Sequence, residues 1–172
     1  MAAFQTAAAG AGVIPWQLDL DRIEEDLFLL LASPPPPQPR QLSIAGARIL
    51  AGQLRDAVAR RQALAVARVG TSRACPFDLH AVLPVPAALL CRGPDDPAAL
   101  AWLWTRWGTT AALRHVSAVD TAFADDPAPV AGAAVFRVSF WSADWSPWRA
   151  LAALAAQWPA LHFALRPRYA TP

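Results

Sequence analysis

The clearest hydrophobic pattern in the chain lies in residues 133–166. In its first part, apolar side chains alternate with a mixed set of apolar, polar and charged ones. The apolar set is Ala134, Phe136, Val138 and Phe140, and the mixed set is Val135, Arg137, Ser139 and Trp141. Alternation with a period of two is typical of a β-strand that buries one face. The pattern therefore predicts a strand whose outer face carries the mixed set.

A helix and a second strand are predicted after this strand. Ser146-Pro147 favours a helix start, because a serine oxygen can accept an early backbone N–H and proline suits the first helical position. Pro159 ends the helix, since the residue before a proline avoids helical conformation. Apolar residues alternate again over residues 161–166. A strand–helix–strand unit this short predicts a parallel, right-handed crossover.

Periodicity also predicts the elements that precede this unit. Apolar residues at helical spacing predict helices over residues 19–31, 48–62 and 97–107. Extended segments are predicted over residues 77–83 and 113–119. Residues 120–132 are expected to connect the second of these to the strand that follows residue 133.

The helix at residues 97–107 has both ends marked in the sequence. Asp96-Pro97 opens it with an aspartate cap and a first-turn proline, and Gly108 is a typical terminator. Its predicted inner face contains Trp104 and Trp107, which leaves Trp102 on the outer face. An outward tryptophan is either covered by another segment or part of a binding surface.

Residues 1–39 are predicted to be an N-terminal arm, and residues 40–172 one domain with its core at residues 75–170. The arm is divided into a loosely packed tail (residues 1–13), an acidic helix (19–31) and a stiff proline-rich linker (33–39). The helix is apolar nearly all round in its second half. It therefore needs partners, either in a groove of its own domain or at a subunit interface.

Charge separates the same two parts of the chain. The net charge of +2 combines five acids against one arginine in residues 1–39 with fourteen arginines against eight acids in residues 40–172. These balances are −4 and +6. An acidic arm is expected to be attracted to a basic domain.

From Phe77 onward the predicted order is strand, helix, strand, strand, helix, strand. This is the ferredoxin-like split βαβ order (βαββαβ), an α+β fold with two helices on one face of an antiparallel sheet. Four motifs in this region resemble, in the right order, those of the YubB-type family of plasmid and phage proteins. They are Phe77-Asp78-Leu79 with Leu83-Pro84-Val85-Pro86, Trp107-Gly108-Thr109-Thr110, Phe140 with Ser142-Ala143 and Trp145-Ser146-Pro147, and Trp158-Pro159-Ala160-Leu161.

The resemblance implies a ferredoxin-like domain without an iron–sulfur cluster and an association with bacterial mobile elements. It carries no catalytic residues over to this chain. Three departures stand within the motifs. Thr110 and Ala111 replace a lysine and a tryptophan of the family pattern, Asp144 is an insertion before Trp145, and Trp148 replaces the last proline of the third motif.

The sequence contains no pattern of catalytic, metal-binding or cofactor-binding residues. Cys75 and Cys91 have neither metal-ligand nor disulfide-framework spacing, and the three histidines lie in separate predicted elements. Asp78 and Asp144 are expected to hydrogen-bond a helix or a turn. We therefore expect no cofactor, no metal and no enzyme. A deep pocket lined by His115, His162 and a carboxylate would reverse that expectation.

Binding is better supported than catalysis. The helices of the predicted fold cover one sheet face and leave the other face open. The residues expected there are Arg137, Ser139, Trp141, His162 and Arg166, and Trp102 is a further candidate for a binding surface. Three alternatives remain for this basic, partly aromatic face: the acidic arm covers it, a protein docks on it, or it binds single-stranded nucleic acid.

Residues 1–14 carry no basic segment, so no signal peptide is expected. The longest apolar run, residues 27–32, is far too short to cross a bilayer, so no membrane contact is expected. The sequence favours a cytoplasmic, non-enzymatic interaction protein, and the resemblance makes it an accessory protein of a mobile element. A protein partner or self-association is favoured over nucleic acid. The alternative function is nucleic-acid binding through the open sheet face.

Overall fold

The computed structural model describes residues 1–33, 42–120 and 132–168 of the 172-residue chain. Within these ranges the chain forms seven helices and two strands. They are α1 (Ala2–Ala8), α2 (Leu20–Ala32), α3 (Ile44–Val66), α4 (Leu79–Val82), α5 (Ala87–Leu90), α6 (Pro97–Arg106), β1 (Arg114–Ala118), β2 (Val138–Trp141) and α7 (Trp148–Gln157). Most of the predicted linker at 33–39, the arm–domain boundary and most of the connection at 120–132 lie outside the described residues.

The sheet in the described ranges is a two-stranded antiparallel ribbon of β1 and β2. Arg114 lies opposite Trp141 and Ser117 opposite Ser139, with an irregularity in register between Arg114 and Ser117. The predicted ferredoxin-like fold is therefore wrong, because it requires four strands. The described part of the chain is a mixed α+β structure that is mostly helical.

Two predicted strands are replaced by other structure. The segment at 77–83 contains the short helix α4, because the Asp78 side chain accepts the His80 N–H and starts a helical turn. Residues 161–166 have no ladder partner in the described ranges. Leu161 and Phe163 are half-buried against the core, so the alternation there reflects one-sided burial and not strand pairing. The parallel crossover is consequently absent from the described ranges.

The core lies where α6, α7, α1 and the segment around α4 meet. Trp107, Leu103 and Leu154 are its largest fully buried apolar side chains. The indole N–H of Trp107 donates to the Leu83 carbonyl at 3.0 Å. A buried indole N–H needs such an acceptor, so this bond fixes the segment after α4 against the end of α6.

The predicted ends of α6 are confirmed. The Asp96 carboxylate accepts the backbone N–H groups of Ala98 and Ala99 at 2.9 and 3.1 Å, and Gly108 takes a φ of +81° after the helix. The predicted inner face is wrong for one residue, because Trp104 is 44% exposed. Trp102 is half-buried and packs edge-to-face on Trp107 at 6.1 Å between ring centroids.

The start of α7 differs in detail from the prediction. The helix begins at Trp148, and Pro147 stands at its N-cap without a side-chain cap. The Ser146 side chain therefore does not cap the helix, although its backbone carbonyl accepts the Trp148 N–H at 2.8 Å. The helix ends at Gln157, before Pro159 as predicted.

The predicted N-terminal tail is instead a helix whose inner face belongs to the core. Phe4 and Ala8 of α1 are buried. The Phe4 ring lies 5.3 Å from the ring of Phe163 and 5.5 Å from that of Trp158, both edge-to-face. The prediction failed because a seven-residue segment made mostly of alanine gives almost no helical pattern, and a single aromatic residue, Phe4, anchors it.

Helices α2 and α3 form an antiparallel pair at the side of the core. Asp19 and Ser43 cap their N-termini through side-chain oxygens. Glu25–Arg48 and Glu24–Arg55 ion pairs, at 2.6 and 3.2 Å, join the two helices. The predicted helices are confirmed, and α3 is longer at both ends than predicted. Only Ala47 and Ala51 of this pair are buried, and no residue of either helix belongs to the central hydrophobic cluster.

We expect Phe4→Ala to destabilise the protein by about 3–5 kcal/mol, the usual range for removing a buried aromatic ring. The loss should appear as a lower midpoint in urea-induced unfolding followed by tryptophan fluorescence. Thr6→Ala, on the exposed side of the same helix, is the matched control and should leave the midpoint almost unchanged. Equal midpoints for wild type and Phe4→Ala would contradict the placement of α1 in the core.

Candidate functional site

The turn after α6 lies against the start of α7. Gly108 turns the chain at a positive φ, which glycine adopts without strain, and it lies next to the Ser146 carbonyl oxygen and the Arg149 nitrogen. The approach brings two of the sequence motifs together, residues 107–110 and residues 142–148. Thr109, the residue after the glycine, is completely buried at this contact.

Asp144 holds the two motifs together. Its carboxylate accepts the hydroxyl groups of Thr109 and Thr110, each at 2.6 Å, and the backbone N–H groups of Thr110 and Trp145 at 3.1 and 3.0 Å. The Ser142 hydroxyl donates to the Thr109 oxygen at 3.1 Å. Burial alone would raise the pKa of Asp144, but these hydrogen bonds to the charged form outweigh burial and lower it. The residue that stands as an insertion in the family pattern is thus the anchor of this turn.

Four tryptophans are exposed on the elements that meet at this anchor. Trp104 is in the last turns of α6, Trp141 ends β2, Trp145 follows Asp144, and Trp148 opens α7. Their exposed fractions are 44%, 69%, 59% and 47%. We call these four residues the tryptophan corner. Exposed tryptophan is uncommon on a protein surface, and several together indicate a binding surface.

The ribbon adds a strained residue beside this surface. His115 has a φ of +51°, which is uncommon for a residue other than glycine. Its ring packs edge-to-face on Trp141 at 5.8 Å. Backbone strain of this kind is concentrated at functional sites in proteins. The strained position coincides with the break in register between β1 and β2.

Three arginines lie near residues of the tryptophan corner along the chain or in the ribbon. Arg106 ends α6, Arg114 lies opposite Trp141 in the ribbon, and Arg149 follows Trp148. None of the three forms an ion pair within the described residues, whereas Arg48 and Arg55 of the α2–α3 pair do. Their guanidinium groups are therefore available to a ligand, apart from a 3.5 Å contact from Arg149 to the Thr105 carbonyl.

The predicted binding face is only partly assembled. Ser139 and Trp141 are exposed on the outer side of β2, as predicted, while Arg137 is half-buried. His162 and Arg166 are exposed but belong to no sheet in the described ranges, so the open four-stranded face does not form. Nor does α2 cover the ribbon, since its main contact is with α3.

Sequence reasoning missed Trp104, Trp145 and Trp148 as candidates for a binding surface. The signal that could have found them is the density of tryptophan, since five of the eight lie within residues 104–148. Helical periodicity pointed instead to burial of Trp104 and left the orientation of Trp145 and Trp148 open.

The remaining family-motif residues have structural roles. Phe77, Trp107 and Thr109 are buried, as is Pro147, whereas Pro84, Pro86 and Pro159 are exposed. Asp78 is buried and accepts the Gly12 N–H at 2.8 Å and the His80 N–H at 2.9 Å. The expectation that Asp78 and Asp144 hydrogen-bond a helix or a turn is therefore confirmed.

His80 continues the network around Asp78. Its Nδ1 accepts the Val85 N–H at 3.2 Å, which requires that nitrogen to be unprotonated. Burial lowers the pKa of His80, against a smaller raising effect of the Asp78 charge. The hydrogen bond and the burial both favour the neutral imidazole.

The described residues contain no group of histidine, cysteine and acidic side chains arranged to hold a metal ion. Cys75 and Cys91 are not bonded to each other, and burial raises the pKa of the Cys75 thiol. Two surface depressions of the described residues were compared with this expectation. One, lined in part by Phe77 and Asp78, is too narrow for water. The other, of about 150 Å³, lies against Arg48 and nearby acids on the α2–α3 pair. Neither contains His115 or His162.

No helix in residues 1–33, 42–120 and 132–168 combines the length and the hydropathy needed to cross a membrane. No protein-family model, curated protein or solved structure was found to match the chain. The resemblance to the YubB-type family therefore stays a prediction that rests on the four motifs.

We expect Asp144→Ala to destabilise the folded chain by about 1–2 kcal/mol, because several partners of a partly exposed carboxylate lose their acceptor. The measurement is the midpoint of urea-induced unfolding at neutral pH. Asp95→Ala is the matched control, because Asp95 is exposed and makes no hydrogen bond or ion pair within the described residues. A change no larger than that of the control would show that Asp144 does not anchor the turn.

Protonation of His80 should lower stability in mildly acidic solution. Its pKa is lower in the folded than in the unfolded chain, so the unfolded chain binds more protons as the pH falls below about 6.5. The stability that the neutral His80 side chain contributes is fully present above that pH and is lost as the pH falls toward the folded-state pKa. When the pH is lowered from 7.5 to 5.5, we expect the urea midpoint to fall less in His80→Gln than in the wild type. His162→Gln, at an exposed position, should retain the wild-type dependence.

Proposed function

We propose that this chain is a non-enzymatic binding protein whose ligand lies on the tryptophan corner. The observation that carries the proposal is the exposure of four tryptophans on elements that meet at the turn anchored by Asp144. Tryptophan and arginine are the residues that most often dominate the free energy of protein–protein binding. A surface that offers both, on a well-anchored turn, fits a protein partner.

The shape of the surface supports binding over catalysis. The tryptophan corner is formed by turns and helix ends, and neither of the two depressions described above is lined by its residues. Enzyme sites and small-molecule sites are usually concave. An exposed aromatic surface fits a macromolecular ligand better.

The second candidate ligand is single-stranded nucleic acid. It is favoured by the pair of His115 and Trp141 beside Arg114, because bases stack on aromatic rings while arginines contact phosphates. This combination is confined to the end of the ribbon. The exposed tryptophans of α6 and α7 extend beyond it and favour the protein partner.

The cellular setting belongs to the same proposal. We place the protein in the cytoplasm as an accessory protein of a bacterial mobile element. The support is the order and content of the four sequence motifs.

One crosslinking experiment tests both ligands. A photoreactive phenylalanine analogue replaces Trp145 in the full chain, expressed in the source cell, and Leu64 is replaced in the control because it is exposed on α3. We expect an adduct from position 145 and none from position 64. An adduct whose added mass survives nuclease treatment identifies a protein ligand, and loss of the added mass on nuclease treatment identifies nucleic acid. If position 145 gives no adduct beyond that of the control, the tryptophan corner is not a binding surface.

A further inference from the structure

The ribbon places a positive charge beside one exposed tryptophan. Arg114 lies opposite Trp141, and residues directly opposite in an antiparallel pair have their side chains on the same face. From Arg114 to Ser117 the chain advances three residues, while their partners Trp141 and Ser139 are two apart, so β1 contains one extra residue. The ring of His115, within this bulge, also packs on Trp141. The bulge therefore places an arginine and a histidine at one indole.

A second arginine lies between the two helices that contain exposed tryptophans. Arg149 follows Trp148 at the start of α7, and its Nη1 atom is 3.5 Å from the Thr105 carbonyl oxygen near the end of α6. Thr105 is the residue after Trp104. A guanidinium group has several N–H donors, and this long contact engages one of them. The other donors can bind an acceptor on a ligand that lies on the tryptophan corner.

The described chain supplies no acid for these two arginines. Residues 97–119 and 132–157 contain four arginines and one acid, Asp144. The Asp144 carboxylate accepts hydroxyl and backbone N–H groups and forms no ion pair within the described residues. Arg48 and Arg55 of the α2–α3 pair, in contrast, are matched with glutamates of the same chain. The positive charge beside the tryptophans is therefore complementary to a negatively charged ligand.

Carboxylates fit this arrangement better than a chain of phosphates does. Nucleic-acid binding relies on many phosphate contacts along a strongly basic surface. The net charge of the chain is +2, and Arg106, Arg114 and Arg149 lie on three separate elements. A guanidinium group binds a single carboxylate through two parallel N–H···O bonds, so isolated arginines suit acidic side chains.

We propose that the ligand of the tryptophan corner is an acidic segment of another protein. Its carboxylates pair with Arg114 and Arg149, while its apolar side chains pack on the exposed tryptophans. This inference rests on the binding function proposed above and adds the chemistry of the ligand. Arginines placed in this way favour acidic partners and repel basic ones.

The test repeats the photocrosslinking at position 145 of the full chain in variant backgrounds. Arg114→Glu/Arg149→Glu sets like charges against the carboxylates of the partner, so we expect the yield of the protein adduct to fall by about tenfold or more. Arg114→Gln/Arg149→Gln removes the charges without reversing them and should lower the yield less. Both arginines are exposed, so circular dichroism should remain that of the wild type.

Arg60→Glu/Arg61→Glu is the matched control. It makes the same change of charge at two exposed positions of α3, and the adduct yield should remain that of the wild type. Mass spectrometry of the crosslinked partner peptide is the second measurement. We expect aspartates or glutamates beside the crosslinked residue, and their replacement by lysine should restore the adduct with Arg114→Glu/Arg149→Glu.

The outcomes separate this inference from the function on which it rests. A protein adduct of equal yield in all backgrounds would leave the tryptophan corner a binding surface and overturn the acidic ligand. A partner peptide without acids would do the same, as would an adduct that nuclease removes. If the wild-type arginine background gives no adduct at position 145, the binding function and the acidic ligand are both wrong.

Discussion

The burial of Trp107 is the interaction on which the rest of the core depends. Its ring is completely buried, its indole N–H donates to the Leu83 carbonyl, and its own carbonyl accepts the Ala150 N–H at 3.2 Å. One residue thus joins α6 to the segment after α4 and to α7. The next residue, Gly108, turns the chain so that Thr109 reaches Asp144. The anchored turn of the candidate site is therefore an extension of the core.

Local signals predicted the helices well and the sheet poorly. Capping residues such as Asp19 and Asp96 accept backbone N–H groups no more than three residues away, so the cap and the helix start that it stabilises lie in one short stretch of sequence. A strand is different, because alternation indicates which face is buried but not which segment pairs with it. Phe163 alternates with its neighbours like a strand residue and is half-buried against Phe4 instead. The predicted fold was wrong because its pairings were inferred from order alone.

The candidate site could be predicted only in part for a related reason. Trp141 was found because β2 does alternate, and its exposure follows from the pairing with Arg114. The exposure of Trp104 depends on the rotation of α6 about its own axis where it packs against α7. Packing sets this rotation, and helical periodicity in the sequence does not predict it. His162 was assigned to the same face because residues 161–166 were predicted to form a strand, and this strand does not form in the described ranges.

The separation of the α2–α3 pair from the core has a spectroscopic consequence. All eight tryptophans lie outside residues 20–66. Indole emission therefore reports on the core and its surface and contains no direct signal from α2 or α3. Far-ultraviolet circular dichroism includes both, and α3 is the longest helix of the described chain. The two signals observe different parts of the molecule, and agreement between them measures how tightly the peripheral helices are coupled to the core.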